Sequence, residues 1–211
     1  FEECWRCYQQ IMTSAEIERL AITHGLSYPE YRLLIDRLLK EAKTTGPDQS
    51  EKMISYARLN QQRMQRIEKQ LDLSVDLRAA VAQIKVEQTW VALTEGWCGD
   101  AAQNLPVIAC MAEVNPRITF RLLLRDENPA VMDRYLFNGT RSIPRVVLFQ
   151  SGRELALWGP RPGPAQEIVN EGKRTQRPHD DWSKELHAWY GRDKTQTLQR
   201  EWVDLIRRIH E

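Results

Sequence analysis

The stretch Thr89-Trp90-Val91-Ala92-Leu93-Thr94-Glu95-Gly96-Trp97-Cys98-Gly99-Asp100-Ala101 decides the fold. Its first six residues are β-prone and nearly all apolar, the pattern of a strand covered on both faces. Glu95 to Asp100 reads as a turn, and about Asp100 to Val114 as a helix. Cys98 therefore stands where a buried strand hands over to a helix. The free N–H groups and the dipole of a helix start stabilise a thiolate there. Glu95 and Asp100 oppose this, because nearby negative charge disfavours a second anion. The carboxyl ends of parallel strands are also where α/β sheets bind ligands.

Downstream, Arg117–Arg125 reads as a second strand. Asn128 is placed to cap a helix running to about Phe137. Arg145–Gln150 and Glu154–Trp158 read as two more strands, joined by the short Ser151-Gly152 turn of a hairpin. The order β-α-β-α-β-β predicts parallel crossovers first and an antiparallel pair last. That is an α/β fold with a four-stranded mixed sheet.

Upstream, residues 14–85 read as helices only. Ser27 and Glu30 have capping-box spacing, with Pro29 in the first turn. Tyr31, Leu34, Ile35, Leu38 and Leu39 follow as one apolar stripe, and Thr44-Thr45-Gly46-Pro47 stops that helix. Asp48 or Ser50 starts the next helix, and Ser74 to Ile84 is a shorter one. After the Pro-rich Gly159–Pro164 loop, read as a rigid connector, residues 165–175 are again helical. Trp182, Leu186 and Trp189 share a face of the following helix, and Leu198, Trp202, Leu205, Ile206 and Ile209 a face of the last. Gly191-Arg192-Asp193 is the expected break between them. The chain thus divides into an all-helical N-terminal extension (1–85), a core (86–176) and a C-terminal helical segment packed on it (177–211).

Charge and cysteine use narrow the function. The 211 residues carry 30 Lys and Arg against 29 Asp and Glu, balanced along the chain. That gives no excess positive charge for nucleic acid or an acidic membrane. No apolar run approaches the ~18 residues of a membrane span, and the first 25 residues show no signal-peptide core. A cytoplasmic protein without nucleic-acid or membrane partners is expected. Four cysteines, Cys4, Cys7, Cys98 and Cys110, are too few for a disulfide framework and read as individual thiols. The Cys4-Trp5-Arg6-Cys7 pair lacks the second pair a structural zinc site needs. Met12 offers an alternative start that would leave the pair outside the native chain. Cys110 lies in an apolar helical stretch and reads as core. The four histidines show no spacing that suggests a metal site or a triad. Neither a metal nor a cofactor is expected.

The segment Trp97-Cys98-Gly99-Asp100-Ala101 resembles the Trp-Cys-Gly-Pro-Cys active site of thioredoxins. Pro106, eight residues after Cys98, matches the proline that kinks their active-site helix. Gly139-Thr140-Arg141-Ser142-Ile143-Pro144-Arg145-Val146-Val147-Leu148-Phe149 is similar to their Gly-Ile-Arg-Gly-Ile-Pro-Thr-Leu-Leu-Leu-Phe. Gly152 and Gly159 also fall at thioredoxin-like positions. The resemblance spans about residues 88–175. It implies a thioredoxin-like fold, a cis Pro144 facing Cys98, and an Ile143 backbone that pairs with an extended substrate. Ala101 stands where the family has its second cysteine, Asp100 replaces the intervening proline, and Ala92 replaces the buried acid. A dithiol cycle is therefore closed to this site. Cys110 cannot serve, being 12 residues along the helix, roughly 18 Å away, beyond the ~7 Å limit for a disulfide.

The leading expectation is monothiol thiol–disulfide exchange at Cys98, with a protein disulfide or a low-molecular-weight thiol as partner. Trp97, Gly99, Asp100 and Ala101 would shape the site. Ile143, Pro144 and Arg145 would bind substrate, and Glu95, Arg125 and Asp126 would tune the thiol. The competing expectation is a thioredoxin-fold interaction module without turnover, favoured by the long helical flanks. A peroxidatic cysteine is disfavoured, because no Thr or Arg stands around Cys98 in the fitting pattern.

Overall fold

The computed structural model describes residues 12–210; Cys4 and Cys7 lie outside them. Four helices come first: α1 (Ser14–His24), α2 (Tyr28–Lys40), α3 (Glu51–Gln70) and α4 (Val75–Ala82). Their starts follow from side-chain oxygens that take up free amides. Ser27 and Glu30 form the full capping box on α2, Ser50 caps α3 and Ser74 caps α4. Helix α2 stops at Lys40, ahead of the Gly-Pro stretch, and Ala42 takes a left-handed φ of 54°.

The core follows as β1 (Gln88–Thr94), α5 (Gly99–Glu113), β2 (Ile118–Leu124), α6 (Pro129–Arg134), β3 (Arg145–Gln150) and β4 (Arg153–Trp158). The sheet order is β2-β1-β3-β4. Every residue of β1 is buried, as a central strand requires. β1 runs parallel to β2 but antiparallel to β3, and β3 pairs antiparallel with β4. Only the first crossover is therefore parallel, which corrects the plural expected from the element order. Helix α6 is also shorter than expected and ends at Arg134. Asn128 gives it no side-chain cap, because its amide donates back to the Leu124 carbonyl at 2.8 Å. The outer edge of β2 is not bare. Leu26, just before α2, exchanges two backbone hydrogen bonds with Leu122, at 2.8 and 2.9 Å, which protects the edge from further pairing.

Three helices close the chain: α7 (Gly163–Arg174), α8 (His179–Asp193) and α9 (Gln196–His210). Residues 191–193 remain helical. The break falls at Lys194 and Thr195, with φ of 48° and 69°, so the turn needs no glycine. Helices α1 to α6 and α9 share one hydrophobic core with the sheet, and Trp202 of α9 lies 4.9 Å from Trp90 of β1 between ring centroids. Helices α7 and α8 instead pack on each other around a small separate cluster of Ala165, Val169, Leu186 and Tyr190. No helix among the described residues is long and apolar enough to cross a membrane.

Candidate functional site

Cys98 is the N-cap of α5. Its Sγ accepts the Ala101 amide at 3.4 Å. The thiol donates in turn to the Ile143 carbonyl at 3.3 Å. The Ile143–Pro144 bond is cis. The residues that carried the resemblance are thus brought together from the end of β1 and the start of β3. Small residues on α5 let it lie close: Ala101, Ala102, Ala109 and Ala112 are all buried.

The setting around the sulfur was not legible in the sequence. Cys98 is only 7% exposed. Burial, and then the charge of Asp100, push the thiol up to about 12, against the pull of the Ala101 and Asp100 amides and of Arg161. Desolvation outweighs the helix start here, because the ionised form loses its water while a few amides replace it.

Asp100 organises a cover over the start of α5. The Arg161 guanidinium grips Oδ2 at 2.5 and 3.1 Å, and the Tyr190 hydroxyl donates to Oδ1 at 2.8 Å. Asn104 donates both to the Asp100 carbonyl (2.8 Å) and to the Tyr190 oxygen (3.1 Å). Arg161 also reaches Gln166 of α7 at 2.8 Å. The Pro-rich loop is therefore tied to the helix start by a buried ion pair, and α8 by the Tyr190 hydrogen bond. His187 of α8 lies against Gly99, where an added Cβ would stand 2.8 Å from its Cε1. Burial and the neighbouring Arg63 lower His187 to about 4, so it is neutral near pH 7.

A second cluster holds the turn before Cys98. The Thr45 hydroxyl accepts the Gly96 amide at 2.7 Å, and Asn60 of α3 donates to the Gly96 carbonyl at 3.1 Å. Glu95 has no exposed surface. Its Oε1 accepts the Asp126 amide at 2.9 Å, while its Oε2 has no partner among the described residues. Burial raises its pKa above the usual carboxylate range. Arg125 pairs with Asp126 at 2.7 Å and stacks on the Trp97 ring, 4.7 Å from its centroid. Glu95, Trp97, Arg125 and Asp126 are therefore neighbours. Gly46, at φ 78°, sits where a side chain would strike Asp126 Oδ2 at 2.7 Å.

Arg145 is placed differently. It is buried, donates to the carbonyls of Tyr135 (3.0 Å) and Gly159, and lies over Phe137. These bonds join the segment before β3 to the turn after β4. Cys110 is half-buried on α5. Among the described residues no group of three or more His, Cys, Asp or Glu is placed to hold a metal ion. Sequence reasoning missed Arg161, Tyr190, Asn104, Asn60 and Thr45. The one available signal was a charged residue between two prolines, at Arg161.

A mixed four-stranded sheet, with a cysteine capping the helix after its first strand and a cis proline facing that cysteine, defines a thioredoxin-like protein. The thioredoxin family model matches residues 46–177, well over half of the chain, and the chain belongs to that family. The match begins at Gly46, ahead of the expected core, and takes in α3 and α4. Two solved structures share the fold. A protein of unknown function from Pseudomonas aeruginosa is 17% identical, with a TM-score of 0.54 over 86% of this chain and 98% of its own. An HIV epitope-scaffold is 15% identical, with a TM-score of 0.52 over 82% of this chain and 96% of its own. No curated protein matches the sequence significantly.

Proposed function

We propose that this protein carries out monothiol thiol–disulfide exchange through Cys98. The observation that supports this reading is the seat of its sulfur, at a helix N-terminus and hydrogen-bonded to both Ala101 and Ile143. In the exchange, Cys98 gives up its proton and its thiolate attacks one sulfur of a substrate disulfide. A Cys98–substrate disulfide forms and the other substrate sulfur leaves as a thiolate. Ala101 offers no internal thiol, so an external thiol must attack the mixed disulfide and regenerate Cys98. A cytoplasmic setting, rich in small thiols, would supply it. The Asp100 cover must open first, because the closed thiol is buried and protonated.

A second reading, an interaction module without turnover, is favoured by that same burial. One experiment decides between them. The protein is incubated with cell extract, free thiols are then blocked by alkylation, and mixed disulfides are mapped by mass spectrometry. Exchange predicts adducts on Cys98 that accumulate and are released by added small thiol. An absence of Cys98 adducts, with Cys98→Ser protein retaining every cellular activity, would sink the exchange reading.

A further inference from the structure

The segment 161–193 is built as a unit of its own. Its buried apolar side chains, Ala165, Val169 and Leu186, cluster with Tyr190 apart from the main core. Helices α7 and α8 approach each other so closely that a Cβ on Gly172 would stand 2.6 Å from the Trp182 ring. The joint with the body is looser. Where α8 runs into α9, a cavity of about 750 Å³ opens between Tyr190, Gly191 and Lys194 on one side and Leu71 and Val203 on the other. A helix pair that buries little apolar surface against the body is a part that opens at low free energy.

One side chain of the body fastens both ends of this unit. Arg161, at its entry, and Tyr190, one turn before its exit, both bond the Asp100 carboxylate of α5. Asn104 of α5 adds its bond to the Tyr190 oxygen, and the Gly163 amide donates to Glu201 of α9 at 2.7 Å. Just outside the unit the chain is pinned. The Gly159 carbonyl accepts from Arg145, beside Pro144, and Asp193 accepts the Thr197 amide of α9 at 3.1 Å. Lys194 and Thr195 lie between those last two, with φ of 48° and 69°, and a few such positions can absorb the dihedral change of a hinge. We propose that residues 161–193 are a lid over the start of α5, latched by Asp100, which opens as one body about Gly159 and Lys194–Thr195. His187 of the lid lies against Gly99, the neighbour of Cys98, so opening bares the face of α5 beside the thiol. The latch and hinges stand whether or not Cys98 exchanges disulfides; that the lid admits a substrate to Cys98 rests on the exchange reading.

The test is amide hydrogen exchange, read by mass spectrometry on the full, reduced chain near neutral pH. Peptides of α7 and α8 are expected to exchange together, and faster than those of β1. Asp100→Ala removes the latch and should speed both helices by at least about tenfold, as for loss of hydrogen bonds to a charged group, with β1 and β3 near the parent rate. Tyr190→Phe removes one hydroxyl, keeps the ring in its cluster, and should speed the same peptides severalfold. It leaves Asp100 paired with Arg161 and should also speed iodoacetamide labelling of Cys98, because the lid opens more often. Neither readout involves disulfide exchange, so the lid can fail while exchange stands, and the reverse. The proposal is overturned if α7 and α8 are as protected as β1, or if the variants speed one helix without the other or the sheet equally. It is also overturned if Tyr190→Phe speeds exchange of the lid while Cys98 labels at the parent rate.

Discussion

Replacing Asp100 with Asn tests what holds the Cys98 thiol protonated. The thiol stands at about 12, so at pH 8 roughly one molecule in 10⁴ is ionised. An unperturbed cysteine near 8.5 would be about one-quarter ionised. Titration alone therefore slows alkylation of Cys98 by about three orders of magnitude. Asn keeps the shape of Asp100. Its oxygen can face Arg161 and its amide can donate to the Tyr190 hydroxyl, which sits 2.8 Å away. The carboxylate charge is lost, and Arg161 is left as an unpaired cation nearby. Both changes favour the thiolate. A fall of one pKa unit gives about tenfold more thiolate, so iodoacetamide should label Cys98 at least about tenfold faster at pH 8. The rate is read on the Cys98 peptide by mass spectrometry, which separates it from the other three thiols. Stability should fall by about 1.5–3 kcal/mol, the worth of a hydrogen bond to a charged group. Arg161→Met breaks the same clamp but leaves the carboxylate beside the sulfur. If Asp100 acts by charge, that variant accelerates labelling less. A parent-like rate for Asp100→Asn, or an equal gain for Arg161→Met, would refute the electrostatic reasoning.

Three further outcomes are expected. Gly99→Ala places a Cβ 2.8 Å from His187 and should displace α8, lowering the melting temperature and speeding Cys98 labelling. A higher melting temperature with unchanged labelling would mean the contact relaxes without moving the cover. Glu95 is protonated more readily folded than unfolded, so its contribution is full below about pH 4.3 and is lost as pH rises through the folded value. Glu95→Gln should therefore gain stability relative to the parent between pH 4 and pH 7.5 in urea titrations, and a difference independent of pH would contradict this. Arg145→Met strips the guanidinium from the carbonyls of Tyr135 and Gly159 and should cost at least about 2 kcal/mol in urea unfolding. A loss under about 0.5 kcal/mol would show that water replaces it freely.

The parts of the fold legible in the sequence are those set by local rules. Apolar run length marked β1, a capping box marked the start of α2, and the 3.6-residue stripe marked α9. Asn128 shows the limit of such rules. Its side chain can cap a helix or return to the preceding strand, and the Leu124 carbonyl took it. The direction of β3 was equally hidden. Whether a strand returns parallel or antiparallel depends on how its connection crosses the sheet, which its composition does not record.

The sequence by itself singled out one thiol by its place in the chain and showed what stands beside it. Cys98 ends a buried strand and begins a helix, and Ala101 removes the internal resolving thiol. The tertiary structure alone decided the chemical state of that thiol. Arg161 and Tyr190 stand 61 and 90 residues from Asp100, and a helix and a loop must fold back for them to meet it. Burial, likewise, is a property of the assembled core to which Cys98 belongs. It reverses the sign that the helix N-terminus alone would give, because removing water from a thiolate costs more than a few aligned amides return.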